Sequence, residues 1–381
     1  MPYLGLLFVV HAALLIYRST STARTLFVSS FPVFFASIVL IWANLLHTSY
    51  VASLVGLIDI PVAYFAISMG VSVVYDRFFR KVCPEPAAPD GIVLSELRDQ
   101  IRKSVFAVVG LAVLAVIAVA VILLALAVLP NNWDTLAYRF PRVIFYLNGT
   151  GLAHPGISLD PRLLYYPYNG SLLYLFLAQY QITGVSWNFV SAAAWMLSGV
   201  AAFYVPLAMG GTVRAAVFSA YALLTTPIVL CLSTSTNDEL ISAAPMLLAL
   251  IFITYWLRHN ATAGFVLGLF SISIGAGTKL HWGFYAPAAL CALIIGLVIF
   301  KDHFIGVWKA TMRQSVLPLS LLLATPFAVS FLATNYASSG KLTATDLNAQ
   351  VLNSPFHIGV ALQNVKIFTL QMLLALSLIH I

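Results

Sequence analysis

Charged side chains are scarce in this sequence, in which Asp, Glu, Lys and Arg together make up only 8% of 381 residues. A soluble globular domain carries about 25% charged residues, so this chain has too little charge to cover a surface that faces water. Hydrophobic residues make up 61% of it, and lipid is therefore the solvent expected for most of the chain. We predict an all-α, polytopic transmembrane helix bundle.

Cysteine is also rare, and the three residues Cys83, Cys231 and Cys291 lie far apart. Without a CxxC or zinc-ligand spacing, neither a disulfide framework nor a structural metal is indicated. The sequence contains no Walker loop, no HExxH and no GxGxxG after a strand, so nucleotide-driven chemistry is not supported. No run of Lys and Arg alternates with aromatic residues, and a nucleic-acid partner is not expected.

Long apolar runs dominate what the sequence does contain. A helix that crosses a bilayer needs about 20 mostly apolar residues, and about eleven stretches qualify or nearly qualify. Two long gaps separate some of them, at 76–104 and at 131–187. The predicted spans lie near residues 2–17, 26–46, 51–75, 105–130, 188–209, 215–232, 240–257, 262–278, 282–300, 315–333 and 356–376.

The distribution of basic residues predicts the orientation of the chain. Cytoplasmic loops carry an excess of Lys and Arg, and placing the 76–104 loop inside puts 13 of the 19 Lys and Arg residues on that side. The count requires that 131–187 contain either no full span or an even number of spans, and we choose none. We therefore predict that 134–148 and 169–183 are amphipathic helices on the outer membrane surface. We expect a bacterial inner-membrane protein whose active site faces outward.

Three acidic residues at the predicted outer side are candidates for the site, whereas Asp160 and Asp346 in outer loops are interpreted as solvated charges. Asp134 follows the fourth span, and Asp238 and Glu239 precede a later one. Each has a structural interpretation as a helix N-cap or a polar turn residue. In the functional interpretation, Asp134 is a general base or metal ligand at the membrane boundary. Asp238 is then a second carboxylate that completes an acceptor or metal site.

Basic residues on the same side have two interpretations as well. Lys279, at the outer end of a span, either snorkels to the interface or contacts a phosphate. Arg139 and Arg142 in the first surface helix are further phosphate candidates, or else headgroup anchors. Asp59 falls in the middle of a predicted span, where a charge is costly and indicates function. The sequence offers it no evident partner.

Four short motifs follow one another along the outer side. Together they resemble motifs of the GT-C glycosyltransferases, in the branch that includes protein O-mannosyltransferases, the lipid A aminoarabinose transferase and the rhizobial lipopolysaccharide sugar transferases. The motifs are Trp133-Asp134-Thr-Leu-Ala-Tyr138-Arg-Phe-Pro141-Arg142, Tyr165-Tyr-Pro167-Tyr-Asn-Gly-Ser-Leu, Ala222-Leu-Leu-Thr-Thr-Pro227 leading into Ser235-Thr-Asn-Asp238, and Gly277-Thr-Lys279.

The resemblance implies a division of the chain and an activity. A catalytic membrane core would cover 105–340. Residues 1–104 would add N-terminal helices and a cytoplasmic loop. Residues 341–381 would form an outer loop and a last helix that we expect to be truncated. The implied reaction moves a hexose or pentose from a polyprenyl-phosphate-linked donor to a lipid, glycan or protein acceptor in the cell envelope.

The same resemblance assigns roles to residues. Asp134 would be the catalytic base or acceptor-site carboxylate, Asp238 its partner and Lys279 a ligand of the donor phosphate. Tyr138, in the first motif, and Glu239, which follows Asp238, are expected to bind substrate together with Arg139 and Arg142. A divalent cation, Mg²⁺ or Mn²⁺, held by Asp134 and Asp238 is a candidate cofactor.

Two rival functions remain open from the sequence. The first is a transporter or flippase for a polyprenyl lipid or a sugar. Such a protein places charges near the bilayer midplane, and Asp59 is the residue that favours it. The second is a non-catalytic relative that only binds lipid.

Overall fold

The computed structural model describes residues 2–84, 86–87, 92, 94–130, 132–152, 161–182, 184–279, 301–312 and 316–342. Apart from one isolated bridge, regular structure in these residues is helical. The α-helices are α1 (Pro2–Leu26), α2 (Ser30–Leu54), α3 (Pro61–Val82), α4 (Leu94–Lys103), α5 (Val105–Ala127), α6 (Phe140–Phe145), α7 (Pro161–Tyr165), α8 (Asn169–Gln179), α9 (Asn188–Ala208), α10 (Val213–Leu224), α11 (Pro227–Ser233), α12 (Asp238–His259), α13 (Thr262–Ala276), α14 (Lys301–Met312) and α15 (Val316–Ser339).

Among the described residues, seven helices are long and apolar enough to cross a membrane: α1, α2, α3, α5, α9, α12 and α15. The chain is thus an all-α helical integral membrane protein, as predicted. The eleven predicted spans are not confirmed. Those at 282–300 and 356–376 lie outside the described residues, and the one at 262–278 corresponds to α13, a helix of only 15 residues.

The predicted span at 215–232 is broken into α10 and α11, whose axes differ by 68°. The break precedes Pro227, which has no N–H to continue the helical ladder. It releases the Leu224 carbonyl, which accepts a hydrogen bond from the Trp195 indole at 3.3 Å. If the bent pair is one span, the described residues contain eight.

Asp59 does not lie within a span, contrary to the prediction. Helix α2 ends at Leu54 and α3 begins with Pro61, where a proline fits because the first helical N–H needs no partner. Gly56, with φ at +69°, turns the chain between them. The Asp59 side chain is exposed in this turn.

Of the two stretches predicted as surface helices, 134–148 is helical throughout, whereas in 169–183 the helix covers only Asn169–Gln179. We keep the names first and second surface helix for them. Helix α6 is flanked by π-helical turns at Thr135–Arg139 and Tyr146–Thr150. In the first turn, the Phe140 N–H donates to the Thr135 carbonyl five residues back. The wider turn falls directly before Pro141 and carries the polar residues of the candidate site.

Close packing between α12 and α13 depends on two glycines in a GxxxG pattern. A Cβ atom at Gly264 would lie 2.7 Å from the Phe252 carbonyl oxygen. One at Gly268 would lie 3.1 Å from the side chain of Ile253. Small residues at these positions let two membrane helices approach backbone to backbone.

Contacts between distant segments define the two ends of the bundle. At one end the Gln179 amide donates to the Ile58 carbonyl, which joins the second surface helix to the turn after α2. At the other end the Ala87 N–H donates to the Leu26 carbonyl at 2.7 Å. We call the first the site end, because the described residues between 128 and 187 and the 234–237 and 277–279 turns lie there.

The opposite end is called the basic end, because exposed Lys and Arg residues collect around α4 and the adjoining helix termini. They are Arg77, Arg80, Lys81, Arg98, Arg102, Lys103, Arg214 and Arg258. The predicted charge asymmetry therefore coincides with two structurally distinct ends. Because cytoplasmic loops carry an excess of basic residues, we expect the basic end to be cytoplasmic and the site end to face outward.

This orientation yields a labelling prediction. In a cysteine-free background, Gln100→Cys on α4 should react with a membrane-impermeant maleimide only after the membrane is opened. Asn148→Cys at the site end should react in intact cells, since both side chains are exposed and lie at opposite ends. Labelling of both positions from the same side would contradict the orientation.

Candidate functional site

The centre of the site end is a buried arginine between two carboxylates. Arg139 is 0% exposed. Its Nε donates to Asp238 Oδ2 at 2.9 Å, and its Nη2 lies 3.8 Å from Asp134 Oδ2. Burial acts to lower the pKa of Arg139, but Asp238, Tyr138 and Tyr174 together outweigh it and the pKa is raised. The structure thus brings the two predicted carboxylates together through a charged guanidinium.

Polar residues on one side of the first surface helix connect it to the 236–237 turn that precedes α12. Asn132, Thr135 and Arg139 are spaced by three and four residues and therefore share a side of the helix. The Asn132 amide donates to Thr236 Oγ1 at 3.3 Å, and Thr135 Oγ1 donates to the Thr236 carbonyl at 3.3 Å. Arg139 Nη1 donates to the same carbonyl at 2.6 Å and to Asn237 Oδ1 at 3.2 Å.

The side chain that caps this helix is Asn132 and not Asp134. Asn132 Oδ1 accepts from the Thr135 N–H at 2.8 Å, whereas Asp134 makes no capping hydrogen bond. Asp134 instead accepts from Arg162 Nη1 at 2.9 Å and from the Tyr138 hydroxyl at 3.3 Å. The structural interpretation of Asp134 as an N-cap is wrong, and its carboxylate, 35% exposed, faces the site.

Tyr138 stands among three guanidinium groups. The Cζ atoms of Arg139, Arg142 and Arg162 lie 5.0, 5.6 and 5.1 Å from the centre of its ring, within the range of cation–π attraction. Burial raises the pKa of the Tyr138 phenol well above its usual value, although the Arg139 charge opposes the shift. Tyr138 is therefore protonated at neutral pH and can donate its hydrogen bond to Asp134.

Arg142 differs from its prediction as a phosphate ligand. It is 1% exposed, and its five N–H groups are matched by five acceptors. The acceptors are the carbonyls of Arg162, Leu163, Tyr166 and Pro167 and the Ser171 hydroxyl. Arg142 therefore holds the 162–171 segment in place, a structural role, and has no donor left for a phosphate.

Asp238 is the first residue of α12, where the helix dipole stabilises a negative charge. It is 5% exposed. Its Oδ2 is held by Arg139, while its buried Oδ1 has no hydrogen-bond partner among the described residues. Gly170 lies against this oxygen, because a Cβ atom there would come within 2.5 Å of it.

Lys279 and Glu239 form an ion pair next to Asp238. Lys279 follows the C-terminal end of α13, and Glu239 follows Asp238 in the first turn of α12. Both side chains are partly exposed, at 22% and 39%. The predicted phosphate ligand therefore has a protein partner, with which a bound phosphate would compete.

The described side chains do not fit a divalent cation. No group of three or more His, Cys, Asp or Glu side chains there can hold a metal ion. Asp134 and Asp238 are joined instead by Arg139, which already supplies a positive charge between them. No chemical step is assigned to Mg²⁺ or Mn²⁺.

Sequence reasoning missed two parts of the site. Arg162 was not among the predicted residues, yet it pairs with Asp134. Nothing in its sequence context distinguishes it from a surface anchor. The role of Asn132 and Thr135 was also missed, although their spacing with Arg139 was visible as one polar helix face.

No family model, curated protein or solved structure matches this chain. What the site can do follows from its chemistry. A partly exposed carboxylate can accept a proton, and the partly exposed cations Arg162 and Lys279 can bind an anion. A site with both properties suits the transfer of a group away from an anionic leaving group.

Gly277 provides a stability prediction for the wall of this site. A Cβ atom there would lie 1.7 Å from the Phe327 carbonyl oxygen and 2.4 Å from Asn169 Nδ2. Gly277→Ala should therefore lower the free energy of unfolding by about 1–3 kcal/mol, the usual cost of overpacking. Gly70→Ala in α3 is the matched control, since nothing lies within 4 Å of its added atom. Thermal unfolding in detergent measures both, and equal midpoints would refute the close approach.

Proposed function

We propose that this protein is a membrane-embedded glycosyltransferase that moves a sugar from a polyprenyl-phosphate-linked donor to an acceptor hydroxyl. The site is proposed to face the outside of a bacterial inner membrane. One observation carries the proposal: Asp134 and Asp238, about a hundred residues apart, share the buried Arg139 guanidinium. The order of motifs that resembles GT-C enzymes agrees with this convergence.

Asp134 is the residue best suited to act as the base. Arg162, Tyr138 and Arg139 approach its two oxygens. A carboxylate offers about four lone-pair positions, so one remains for the acceptor hydroxyl. In the proposed step, the acceptor oxygen forms a bond to the anomeric carbon and its proton passes to Asp134. The bond from that carbon to the phosphate oxygen breaks, and polyprenyl phosphate leaves.

Arg162 and Lys279 are the better candidates for binding the donor phosphate. Their side chains are 23% and 22% exposed. Arg139 and Arg142 are buried and are held by protein groups, Arg139 by Asp238 and the Thr236 carbonyl and Arg142 by five acceptors, so they support the site from behind. This assignment moves the phosphate contact away from the two arginines that the sequence suggested first.

The transporter alternative rested on Asp59 as a charge near the bilayer midplane. Asp59 is exposed in the turn between α2 and α3, so it does not support a charge within a span, which was the argument for transport. The charged side chains of the site collect at one end of the bundle. A reaction at the membrane surface accounts for that position better than passage through the bilayer.

Replacement of the base tests the proposal most directly. Asp134→Asn keeps an oxygen for Arg162 but cannot take up a proton, and a general base contributes about 10²–10⁴-fold to a rate. We expect transfer to fall at least about 100-fold. The assay follows release of polyprenyl phosphate in nanodiscs, from a panel of synthetic polyprenyl-phosphate hexoses and pentoses, with bacterial envelope extract as acceptor. Asp99→Asn on α4, at the basic end, is the control and should behave like the wild type.

Two results would count against the proposal. Wild-type protein that releases no polyprenyl phosphate from any donor of the panel would remove the transferase assignment. Full turnover by the Asp134→Asn variant would leave the transferase but take the base role from Asp134. Thermal unfolding should show that both variants are folded, because Arg139 retains its contact with Asp238.

A double-mutant cycle separates the two roles of Lys279. If Lys279 binds the donor phosphate, Lys279→Met should lower kcat/KM for the donor about 10- to 100-fold, the loss of one charge-assisted contact. If Lys279 only neutralises Glu239, the combination with Glu239→Gln should restore activity, because no unpaired charge remains. We expect no restoration in the double variant. Recovery to the wild-type rate would reduce Lys279 to an ion-pair partner.

A further inference from the structure

A buried tyrosine of α2 reaches across the bundle to the site end. The Tyr50 hydroxyl donates to Asn169 Oδ1 at 2.7 Å. Tyr50 is 8% exposed and Asn169 is 1% exposed, so water does not compete for this bond. The contact joins the N-terminal helices to the first residue of the second surface helix, α8.

The side-chain amide and the backbone N–H of Asn169 all form hydrogen bonds. Its Nδ2 donates to the carbonyls of Ile274, at 3.2 Å, and Phe327, at 2.8 Å, and its backbone N–H donates to the Gly277 carbonyl at 3.1 Å. With Tyr50 on Oδ1, the orientation of the amide group is fully determined. Loss of the Tyr50 hydroxyl would leave a buried oxygen without a donor, which costs more than the bond itself contributes.

The next residue forms a wall of the proposed catalytic site. Gly170 lies against Asp238 Oδ1, and a Cβ atom at Gly170 would also come within 3.6 Å of Thr278 Cγ2. Thr278 precedes Lys279, the proposed phosphate ligand. A shift at the start of α8 would therefore move the surface that faces both Asp238 and the Lys279 turn.

Two further ties attach the end of α2 to the outer segment. The Leu152 N–H donates to Ser53 Oγ at 2.7 Å. The Gln179 amide donates to the Ile58 carbonyl. The end of α2 and the turn after it thus hold α8 at its first and last residues and also hold the end of the first surface helix.

We propose that Tyr50 is a positioning residue of the site, which through Asn169 holds Gly170 against Asp238. The N-terminal helices α1–α3 are then part of the functional unit and more than an added anchor. This inference rests on the proposed function for its effect on rate. Its structural part, the fixation of α8, can be tested without any substrate.

The experiment compares Tyr50→Phe with Tyr64→Phe. Each change removes one buried phenolic hydroxyl from the N-terminal helices. The Tyr64 hydroxyl is bonded within the α2–α3 pair, to Ser49 Oγ at 2.9 Å and the Leu45 carbonyl at 3.3 Å, and not to the outer segment. Hydrogen–deuterium exchange of α8 amides and donor kinetics are measured for both variants and for the wild type, in nanodiscs.

We expect faster exchange in α8 for Tyr50→Phe alone. We also expect its kcat to fall about 2- to 12-fold, the range for one neutral hydrogen bond, with KM for the donor unchanged. Tyr64→Phe should match the wild type in both measurements. Because Tyr50 does not touch substrate in this proposal, a change in KM without a change in kcat would contradict the positioning role.

Two other outcomes overturn the proposal in different ways. Equal α8 exchange in both variants would show that Tyr50 does not fix this helix, whatever the activity. Faster exchange with a wild-type kcat would show that fixation of α8 has no catalytic consequence. A wild-type protein with no transfer activity is a failure of the proposed function, and the exchange comparison distinguishes it from a failure of the Tyr50–Asn169 tie.

Discussion

The site end depends on the burial of one positive charge. A buried guanidinium is stable only when carboxylates and hydrogen-bond acceptors surround it, and removing one partner of such a group typically costs about 3–5 kcal/mol. Arg139 meets this requirement with Asp238, Asp134 and the Thr236 carbonyl. The first surface helix is therefore held against the start of α12. Because the buried arginine needs carboxylate partners, it also brings together the two carboxylates on which the proposed chemistry depends.

Arg142 applies the same principle without a carboxylate. Its guanidinium donates to four carbonyls and a hydroxyl of the 162–171 segment. It therefore stabilises the conformation of that segment and is not part of an ion pair. Asn169 has a comparable structural role with a neutral side chain, because its amide group forms hydrogen bonds with α2, α13 and α15. These buried polar groups carry the tertiary specificity at the site end, because lipid-facing apolar surfaces do not by themselves select one helix arrangement.

Separation of charge along the bundle gives the molecule two different ends. Exposed Lys and Arg residues surround α4 at the basic end. Around Arg139 at the site end, acidic groups are paired with arginines and a lysine, and Asp134, Arg162, Lys279 and Glu239 keep part of their side chains exposed. An anionic lipid substrate would meet those exposed groups first. If the proposed reaction takes place at this end, the buried groups behind them must stay fixed, and hydrogen bonds from the N-terminal helices to α8 would serve that purpose.

Much of the fold was predictable, because long apolar runs in a chain with few charges can form little else than membrane helices. The sidedness of Asp134, Asp238 and Lys279 also followed from counting spans. The bend before Pro227 and the turn containing Gly56 and Pro61 had sequence signals that were not given enough weight. Which arginine bridges the carboxylates, which one holds a loop and which one stays exposed was decided only by tertiary structure. Those roles depend on contacts between residues from 20 to 99 positions apart. Identical side chains differ there only in what surrounds them.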